Sequence, residues 1–402
     1  MNVAAVAGSV GQRPLPAGWR WARLGDVAEY INGRAFKPNE WRPQSSQGVP
    51  IIRIENLNDP AAEHNYFDGE LEEKHAAHDG DLLISWAASL DAYLWSRGPA
   101  AVNQHIFRVL PNLRIVDKVY LYYASRHTMA ALRAQVHGST MRHITKPEFE
   151  MTPLPLPPLP EQRRIAAILI EQMAAVDRAK AAVQAQLEAA KALPVAYLRE
   201  VFPREGEPLP EGWRWVRLGD VADVVTGTTP PRGDSRFFGG TVPWVKPDDL
   251  DRSTYVNASA EYLTEEGATI GRIVPGGSVL LSCIGKIGKS AIAAKPLATN
   301  QQINALVPSE RVDSVFLYFS CKASRSSFEA MASSTIVPIV NKSACQSIGL
   351  PLPSLPEQRR IAAILTGQMV GIDRLTGSID EESATLDRLP ATLLAQAFSG
   401  GL

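Results

Sequence analysis

Catalytic and metal-binding sequence patterns are missing from this chain. Gly288, Lys289 and Ser290 resemble the end of a phosphate-binding loop, G-x4-G-K-S, but Cys283 occupies the position where the first glycine is needed for the backbone turn. The seven histidines form no H-E-x-x-H or similar ligand pattern, and no G-x-S-x-G elbow occurs. The three cysteines form no C-x-x-C pair, which suits a reducing cytosol. We therefore expect no catalytic residue, no metal site and no cofactor on this chain.

Polar side chains between apolar runs offer a different chemistry, hydrogen bonding and ion pairing with a polar ligand such as a nucleic acid. Arg, Lys, Asn, Gln, Ser and Thr match the donors and acceptors of base edges, and Lys and Arg also pair with phosphates. The candidates are Arg34, Lys37, Ser139, Thr140, Arg142, His143, Lys146, Thr228, Thr229, Arg232, Lys286, Lys289, Thr335, Asn341 and Lys342. Each could equally be a solvated loop residue. The pairs Asn103 with Gln104 and Asn300 with Gln301 are interpreted instead as hydrogen-bonding pairs of the core.

An internal repeat organises the chain. Residues 15–36 read LPAGWRWARLGDVAEYINGRAF, and residues 209–230 read LPEGWRWVRLGDVADVVTGTTP. Further on, residues 154–178 read LPLPPLPEQRRIAAILIEQMAAVDR, and residues 350–374 read LPLPSLPEQRRIAAILTGQMVGIDR. The repeat therefore extends over both halves, and a stacked solenoid is excluded because its repeats are much shorter.

The interiors of the two copies diverge more than their ends. Only short matches remain, such as GVPIIRIENL with TVPWVKPDDL and VNQHIFRVLP with TNQQINALVP. A retained frame with changed contents favours two domains that present one architecture to two different ligands of one kind. The alternative is a duplication retained only for structure.

Composition and charge fit a folded chain of two cores. The 402 residues are 45% hydrophobic and 21% charged, which are ordinary globular values. The net charge of −1 requires any nucleic-acid binding to come from locally placed cations or from a partner. The leader lacks the features of a secretory signal, and no apolar run could span a bilayer, so we expect a cytoplasmic protein without membrane contact.

Short apolar runs separated by Gly, Pro, Asn and Asp predict strands and turns in each half, and residues 119–135 and 315–331 predict helices. Each globular domain is therefore α+β. The boundaries that we expect are a leader at 1–14, a first domain at 15–153, a second domain at 204–349, and two segments at 154–203 and 350–402. Each of these segments begins with a stiff, extended, proline-rich hinge and continues as a long helix.

The long helices contain an apolar seam in steps of three and four residues. The seam residues are Ile165, Leu169, Val176, Val183 and Leu187 in the first copy and Ile361, Leu365, Ile372, Leu375 and Ile379 in the second. We expect the two helices to pair with each other as an antiparallel coiled coil with pseudo-two-fold symmetry, with an intermolecular stem as the alternative. A helix from Glu161 to Leu193 would measure roughly 50 Å and could act as a ruler along DNA.

These motifs resemble the specificity (S) subunits of type I restriction-modification enzymes. The resemblance covers nearly the whole chain and rests on the two GWRW-x-RLGDVA openings, the segments DGDLLISWAASL and PGGSVLLSCIGKIGKSAI, the two NQ segments and the two PLPxLPEQRRIAAIL spacer starts. It implies two target-recognition domains that read the two parts of an asymmetric, bipartite DNA site. It also implies a gap between those parts that the helices set.

The resemblance further implies partners: double-stranded DNA, two methyltransferase (M) subunits and the restriction (R) subunits. S-adenosylmethionine, ATP and Mg are expected on those partners, and the reaction is adenine-N6 methylation after base flipping. The chain itself lacks an NPPY-like or DPPY-like catalytic tetrapeptide, so a fused methyltransferase is disfavoured. A scaffold whose domains bind proteins would also fit the repeat, and so would the specificity subunit of a related type II system.

Overall fold

A computed structural model describes residues 14–43, 48–87, 89–136, 145–332 and 337–402. The chain divides into two compact units. The first unit comprises Met1–Val183 and Glu382–Leu402, and the second comprises Gln184–Glu381. Each copy of the repeat therefore forms most of one unit, and each unit also contains the end of the other copy's long helix.

The first half of the chain contains ten strands and five helices within the described residues. The strands are Arg20–Arg23 (β1), Ala28–Asn32 (β2), Val49–Ile52 (β3), Tyr66–Phe67 (β4), Ala76–Ala77 (β5), Leu82–Ser85 (β6), Asp91–Leu94 (β7), Ala100–Val102 (β8), Ile106–Pro111 (β9) and Pro153–Leu156 (β10). The helices are Leu24–Val27 (α1), Ile54–Asn58 (α2), Lys118–Val136 (α3), Lys146–Glu150 (α4) and Leu159–Val201 (α5).

The second half repeats this order with small additions. The strands are Arg214–Arg217 (β11), Ala222–Thr226 (β12), Phe238–Val245 (β13), Tyr255–Val256 (β14), Tyr262–Leu263 (β15), Ile273–Val274 (β16), Val279–Ser282 (β17), Ser290–Ala293 (β18), Leu297–Thr299 (β19), Ile303–Pro308 (β20) and Gly349–Leu352 (β21). The helices are Glu265–Gly271 (α6), Ser314–Ala323 (α7), Arg325–Ala330 (α8), Lys342–Ser347 (α9) and Leu355–Ser399 (α10).

The sheets of the two units have corresponding strand orders. The first unit contains β2-β9-β6-β7 and β4-β3-β8-β5, and the second contains β12-β20-β17-β18-β14 and β15-β13-β19-β16. In each unit one pair in the second sheet is parallel, β3 with β8 and β13 with β19, while its other pairs are antiparallel. The predicted duplicated α+β fold is confirmed, and strand β14 is an addition of the second unit.

The proline-rich segment before each long helix forms a strand, where the sequence predicted only an extended hinge. Strand β10 pairs antiparallel with β1, and β21 pairs with β11 in the same register. Prolines 153 and 155 are tolerated because a two-stranded ribbon leaves edge positions that need no N–H donor. The opening motif and the PLP motif are therefore shared because they form one ribbon.

A buried glutamine fixes the start of each long helix to its unit. The side chain of Gln162 donates to the carbonyl oxygens of Ile115 and Pro157 at 3.0 and 2.8 Å, and it accepts from the Asp117 N–H at 2.8 Å. Gln358 repeats the arrangement with Arg311, Pro353 and Asp313 at 3.2, 3.0 and 2.9 Å. These bonds satisfy polar groups that would otherwise be buried without partners. These hydrogen bonds explain why both copies contain the LPEQ motif.

In each unit the start of one long helix packs beside the end of the other. In the first unit Ile165 and Leu169 share a core with Leu394 and Phe398. The Lys180 ammonium lies 2.6 Å from the Asp387 carboxylate, about two turns before Leu394 in α10. In the second unit the core contains the end of α5, with Leu198 and Phe202, and the start of α10, with Ile361 and Leu365. The predicted antiparallel pairing of the helices is confirmed.

Most of the predicted seam is buried, with one correction. Ile165, Leu169, Val176, Val183, Ile361, Leu365, Ile372 and Ile379 are buried, and Leu187 is half-buried. The assignment of Leu375 is wrong, because its side chain is 45% exposed and Thr376 is the less exposed neighbour. From Ile372 the less exposed stripe continues four residues later, at Thr376, and not three residues later, at Leu375. A four-residue step advances by about 40° around the helix.

Among the described residues, no helix is both long and apolar enough to cross a membrane.

Candidate nucleic-acid interface

In the first unit, the loop after β2 runs along the turn between β8 and β9. The Gly33 N–H donates to the Ile106 carbonyl at 2.9 Å, and the Arg34 N–H donates to the Val102 carbonyl at 2.8 Å. A Cβ added to Gly33 would lie within 3.0 Å of the Asn103 carbonyl oxygen, closer than real Cβ atoms approach. Glycine is therefore required here by close backbone approach, and it holds the Arg34 loop against the turn.

The second unit repeats this contact with different side chains. The Gly227 N–H donates to the Ile303 carbonyl at 3.0 Å, and the Thr228 N–H donates to the Thr299 carbonyl at 2.9 Å. A Cβ on Gly227 would also lie within 3.0 Å of backbone oxygens of the facing turn. The shared glycine thus positions a loop whose following residues differ between the units.

In the second unit the side chain of an asparagine builds the turn, while the following glutamine is exposed. Asn300 is buried, its amide donates to the Gln302 side chain at 2.9 Å, and its oxygen accepts from the Gln302 N–H at 3.1 Å. Gln301 and, in the first unit, Gln104 are exposed. The interpretation as core pairs therefore holds for Asn300 and is wrong for the two glutamines, because neighbouring residues of a tight turn face opposite sides.

A third loop joins this turn in each unit. In the second unit the Cys283 N–H donates to the Gln302 carbonyl at 2.8 Å, and its own carbonyl accepts from the Val340 N–H at 2.8 Å. The Ser282 hydroxyl closes the β17–β18 loop by donating to the Lys286 carbonyl at 2.6 Å. In the first unit the N–H of Trp86, in the corresponding β6–β7 loop, donates to the His105 carbonyl at 3.3 Å. Loops that are distant in sequence therefore meet.

We call the surface formed by these segments the loop edge. It consists of residues 33–37, 85–87, 89–91 and 102–105 in the first unit and residues 227–232, 283–289, 299–302 and 337–342 in the second. Most of the described DNA candidates lie on it.

The first-unit candidates differ in how far they are engaged by the protein. The Arg34 guanidinium is 2.5 Å from the Glu40 carboxylate and lies 4.4 Å from the centre of the Phe67 ring. Lys37 is exposed, and its backbone N–H and carbonyl both bond to the same Glu40. Lys146, at the start of α4, is 3.6 Å from Glu150. Lys37 is therefore the most available of the three cations.

The second-unit loop after β12 presents polar side chains around a tryptophan. The Thr229 hydroxyl donates to the Gln301 side-chain oxygen, and the Thr228 carbonyl accepts from the Trp244 indole N–H at 3.3 Å. The Arg232 guanidinium lies 5.4 Å from the centre of the Trp244 ring and 3.7 Å from Glu261. These three candidates are positioned by contacts and still reach solvent.

The remaining described candidates divide into available and engaged residues. Lys286 is exposed, and Lys342 is half-exposed with Asp223 at 3.8 Å. Lys289 is only 22% exposed, because its ammonium donates to the Pro247 carbonyl at 3.1 Å. Asn341 caps α9 by accepting from the Ala344 N–H at 2.9 Å.

Five candidates lie outside the described residues. They are Ser139, Thr140, Arg142, His143 and Thr335.

Sequence reasoning missed one pair of cations that lie next to the loop edge, where the residues before them accept from the N–H groups of Asn103 and Asn300. Arg53 follows β3 and Lys246 follows β13, in the matching segments PIIR and PWVK. The Arg53 guanidinium lies 5.5 Å from the centre of the Trp41 ring, and the Lys246 ammonium lies 4.6 Å from that of Trp244. The alignment of these segments was the available signal, since a basic residue is retained where its neighbours change.

The two copies match one protein-family model. The model, described as "Type I restriction modification DNA specificity domain", matches residues 16–189 and 210–373. Among similar curated proteins are the MjaVIII specificity subunit of Methanocaldococcus jannaschii, 22% identical over 96% of this chain and 93% of that protein, and the EcoBI specificity subunit of Escherichia coli, 23% identical over 96% and 86%. Both are named as specificity subunits of type I restriction enzymes.

Two solved structures share the fold. One, titled as the structural basis of complex assembly and conformational transition of the type I R-M system, has a TM-score of 0.78, 24% identity, and coverage of 97% of this chain and 100% of that one. An HsdS subunit from Thermoanaerobacter tengcongensis has a TM-score of 0.64, 24% identity, and coverage of 98% and 100%.

Proposed function

The chain belongs to the family of type I restriction-modification DNA specificity proteins, and from this premise we propose that its two loop edges read the two parts of an asymmetric, bipartite DNA site. As a specificity subunit it is the non-catalytic recognition component of a restriction-modification system. Each unit would read one half-site, in the cytoplasm, where the chromosome is accessible.

One observation supports this proposal most: the two units place different side chains on the same loop framework. At the position after the shared glycine, the first unit has Arg34 and the second has Thr228. In the β6–β7 and β17–β18 loops the residue after the loop-closing serine also differs, but it is the half-buried Trp86 in the first unit and the buried Cys283 in the second, so this difference alters loop packing and not the groups that face DNA. Different donors and acceptors at equivalent positions match different base edges.

The candidates divide into two kinds of contact. Residues that differ between the units, such as Arg34 and Lys37 in the first and Thr228, Thr229 and Arg232 in the second, are assigned to bases. Cations retained at matching positions are assigned to phosphates, because phosphates are present in every sequence. These are Arg53 with Lys246 and Lys146 with Lys342.

The long helices offer a surface for the methyltransferase subunits. Ile170 is 50% exposed in the first unit, and Ile364 and Val370 are 44% and 42% exposed in the second. Exposed apolar residues along a helix are typical of a docking face. We assign these exposed helix residues to contacts with two M subunits, which would carry S-adenosylmethionine and methylate adenine, while R subunits would use ATP and Mg for cleavage.

The isolated chain should bind DNA weakly. Its net charge is −1, and several of its loop-edge cations are paired with carboxylates, so few phosphate counterions would be released. Methyltransferase subunits that enclose the duplex would supply the missing affinity. A tight complex of the chain alone that is insensitive to salt would contradict this part of the proposal.

The proposal is tested by methylome sequencing in a host that lacks DNA methylation. This chain is co-expressed with the methyltransferase subunit from its own operon, and the control host expresses that methyltransferase alone. We expect methyladenine confined to one bipartite motif, and only when the chain is present. An unchanged methylome, with both proteins shown to be folded and associated, would favour a scaffold that binds proteins.

A further inference from the structure

The loop edge contains one exposed side chain that both units share. Gln104 and Gln301 follow the turn asparagine in VNQH and TNQQ. Both are exposed, and the turn is already closed by backbone bonds and, in the second unit, also by the side chains of Asn300 and Gln302. The fold therefore does not need an amide at this position, although both copies have one.

The neighbours of this glutamine differ between the units. Gln301 contacts Thr229, whereas Gln104 contacts the ring of His105, with 3.3 Å between the Gln104 Nε2 and the His105 Nε2. Base-reading residues are expected to differ when the half-sites differ. A shared amide among differing side chains indicates a contact with something that the two half-sites have in common.

The hydrogen-bonding pattern of the glutamine carboxamide indicates what that common feature is. In the major groove a glutamine accepts from the adenine N6 amino group and donates to the adenine N7, a pairing that no other base edge allows in full. We propose that Gln104 and Gln301 each contact one adenine that is present in both half-sites. The inference rests on the proposed function, and the adenine is the one to be methylated, read while it is still in the duplex.

The contacts of Gln301 leave this pairing possible. The Thr229 hydroxyl uses one of the two lone pairs of the Gln301 Oε1, so the second lone pair and both Nε2 hydrogens remain for a base. For Gln104, the His105 ring is near the Nε2, and one amide hydrogen and the oxygen remain. In both units a neighbouring residue holds the amide, which lowers the entropy lost on binding.

The test combines Gln301→Ala with a DNA analogue that lacks one acceptor. The complete chain is purified with its methyltransferase partner and given duplexes that carry the motif found by methylome sequencing. In these duplexes 7-deazaadenine, which has no N7, replaces each adenine in turn. Methylation of each strand and DNA affinity are then measured.

We expect the analogue at one adenine of one half-site to lower wild-type affinity about tenfold. With Gln301→Ala the same loss should appear on normal DNA, and the analogue should add nothing to it. Gln104→Ala is the matched control, because it should move the effect to the other half-site. Because both glutamines are exposed, neither substitution should alter the melting temperature by more than about 2 °C.

The inference would be overturned if the analogue and Gln301→Ala lowered DNA affinity additively at every adenine. It would also be overturned if Gln301→Ala and Gln104→Ala affected the same half-site. Normal motif-specific methylation by both variants would also overturn it and would leave the proposed function intact. If the wild-type complex shows no motif-dependent methylation at all, the proposed function fails, and the inference fails with it.

Discussion

The two units are built alike in their sheets and differ where a long helix ends against each of them. In the first unit α10 ends beside α3, and the Phe398 ring lies 5.5 Å from Tyr120 and 5.2 Å from His127. In the second unit Phe202 follows α5 and lies 5.4 Å from Phe316. Phe316 corresponds to Tyr120, but Ala323 stands where the first unit has His127.

This substitution leaves a gap in the second unit. A cleft of about 330 Å³ opens beside Phe202, Leu198 and Ala323, with Arg199 and Arg325 among its lining residues. The corresponding ring contact of the first unit is made by His127. The duplicated frame thus tolerates a lost side chain in its core contacts, as it tolerates exchanged side chains at the loop edge.

The comparison separates two kinds of position. Residues that hold the frame, such as Gln162 with Gln358 and Gly33 with Gly227, are the same in both units because their backbone partners are the same. At the loop edge most residues that face solvent have diverged, and the exposed Gln104 and Gln301 are shared. Substitutions distinguish positions that belong to the frame from positions that belong to its variable contents.

The largest effect is expected at the buried glutamines. Gln162→Ala and Gln358→Ala each remove three hydrogen bonds and leave buried backbone groups without partners. The free energy of unfolding of the affected unit should fall by about 3 kcal/mol. Urea unfolding, with hydrogen exchange to locate the loss, measures it. The exposed neighbours Arg163 and Arg359, changed to Ala, are the controls. A large loss in one unit only would show that the frames are not equivalent.

The next effect is expected at the glycines of the loop edge. In Gly33→Ala and Gly227→Ala the new Cβ would collide with backbone oxygens, so the loop must shift at a cost of about 2 kcal/mol. Gly233→Ala is the control, because a Cβ there meets no atom within 4 Å. Thermal melting of the three variants compares them. Equal melting temperatures would mean that the loops yield and that the glycines are not part of the frame.

Adding an aromatic ring at the helix end of the second unit and removing one from the first unit should change stability in opposite directions. Ala323→His adds a ring beside Phe202 and should stabilise the second unit by about 1 kcal/mol, because paired aromatic rings contribute in that range. His127→Ala removes the ring beside Phe398 and should destabilise the first unit by a similar amount. Urea denaturation of both variants measures these changes. A destabilised Ala323→His chain would mean that the cleft has no room for an added ring.

The smallest effect is expected at Tyr30 in the core of the first unit. Its hydroxyl is buried without a hydrogen-bond partner among the described residues, and burial raises its pKa. The second unit has Val224 at this position of the corresponding strand. Tyr30→Phe should change the free energy of unfolding by less than about 1 kcal/mol, on the stabilising side. A clear loss of stability in urea unfolding would reveal a function for the hydroxyl.

Much of the fold could be predicted because the duplication displays it twice. The shared openings, the shared spacer starts and the three-and-four steps of the seam predict two α+β domains and a pair of antiparallel helices. The strands β10 and β21 were not predicted, since prolines that punctuate a sequence can also occupy a two-stranded ribbon. The exposure of Leu375 was not predicted, because a step of three residues and a step of four residues from Ile372 deviate from the buried stripe by similar angles.

The candidate site could be predicted less well. Sequence placed Lys289 and Asn341 among free polar residues, but long-range contacts engage Lys289 and a helix cap engages Asn341 in the structure. It placed Gln104 and Gln301 in the core, since an amide can be satisfied by protein or by solvent, and only the turn geometry decides. The convergence of three loops at one edge depends on strand pairing between distant residues, and a single sequence does not contain that information.

The central claim is that each unit reads its own half-site, and a domain exchange tests it most directly. Residues 209–353 are replaced by residues 15–157, so that both junctions fall in shared sequence, and the exchanged chain is co-expressed with the methyltransferase for methylome sequencing. The account predicts a new bipartite motif made of two copies of one wild-type half-site, with the other half-site lost. An unchanged motif, with the exchanged chain folded and bound to the methyltransferase, would contradict it.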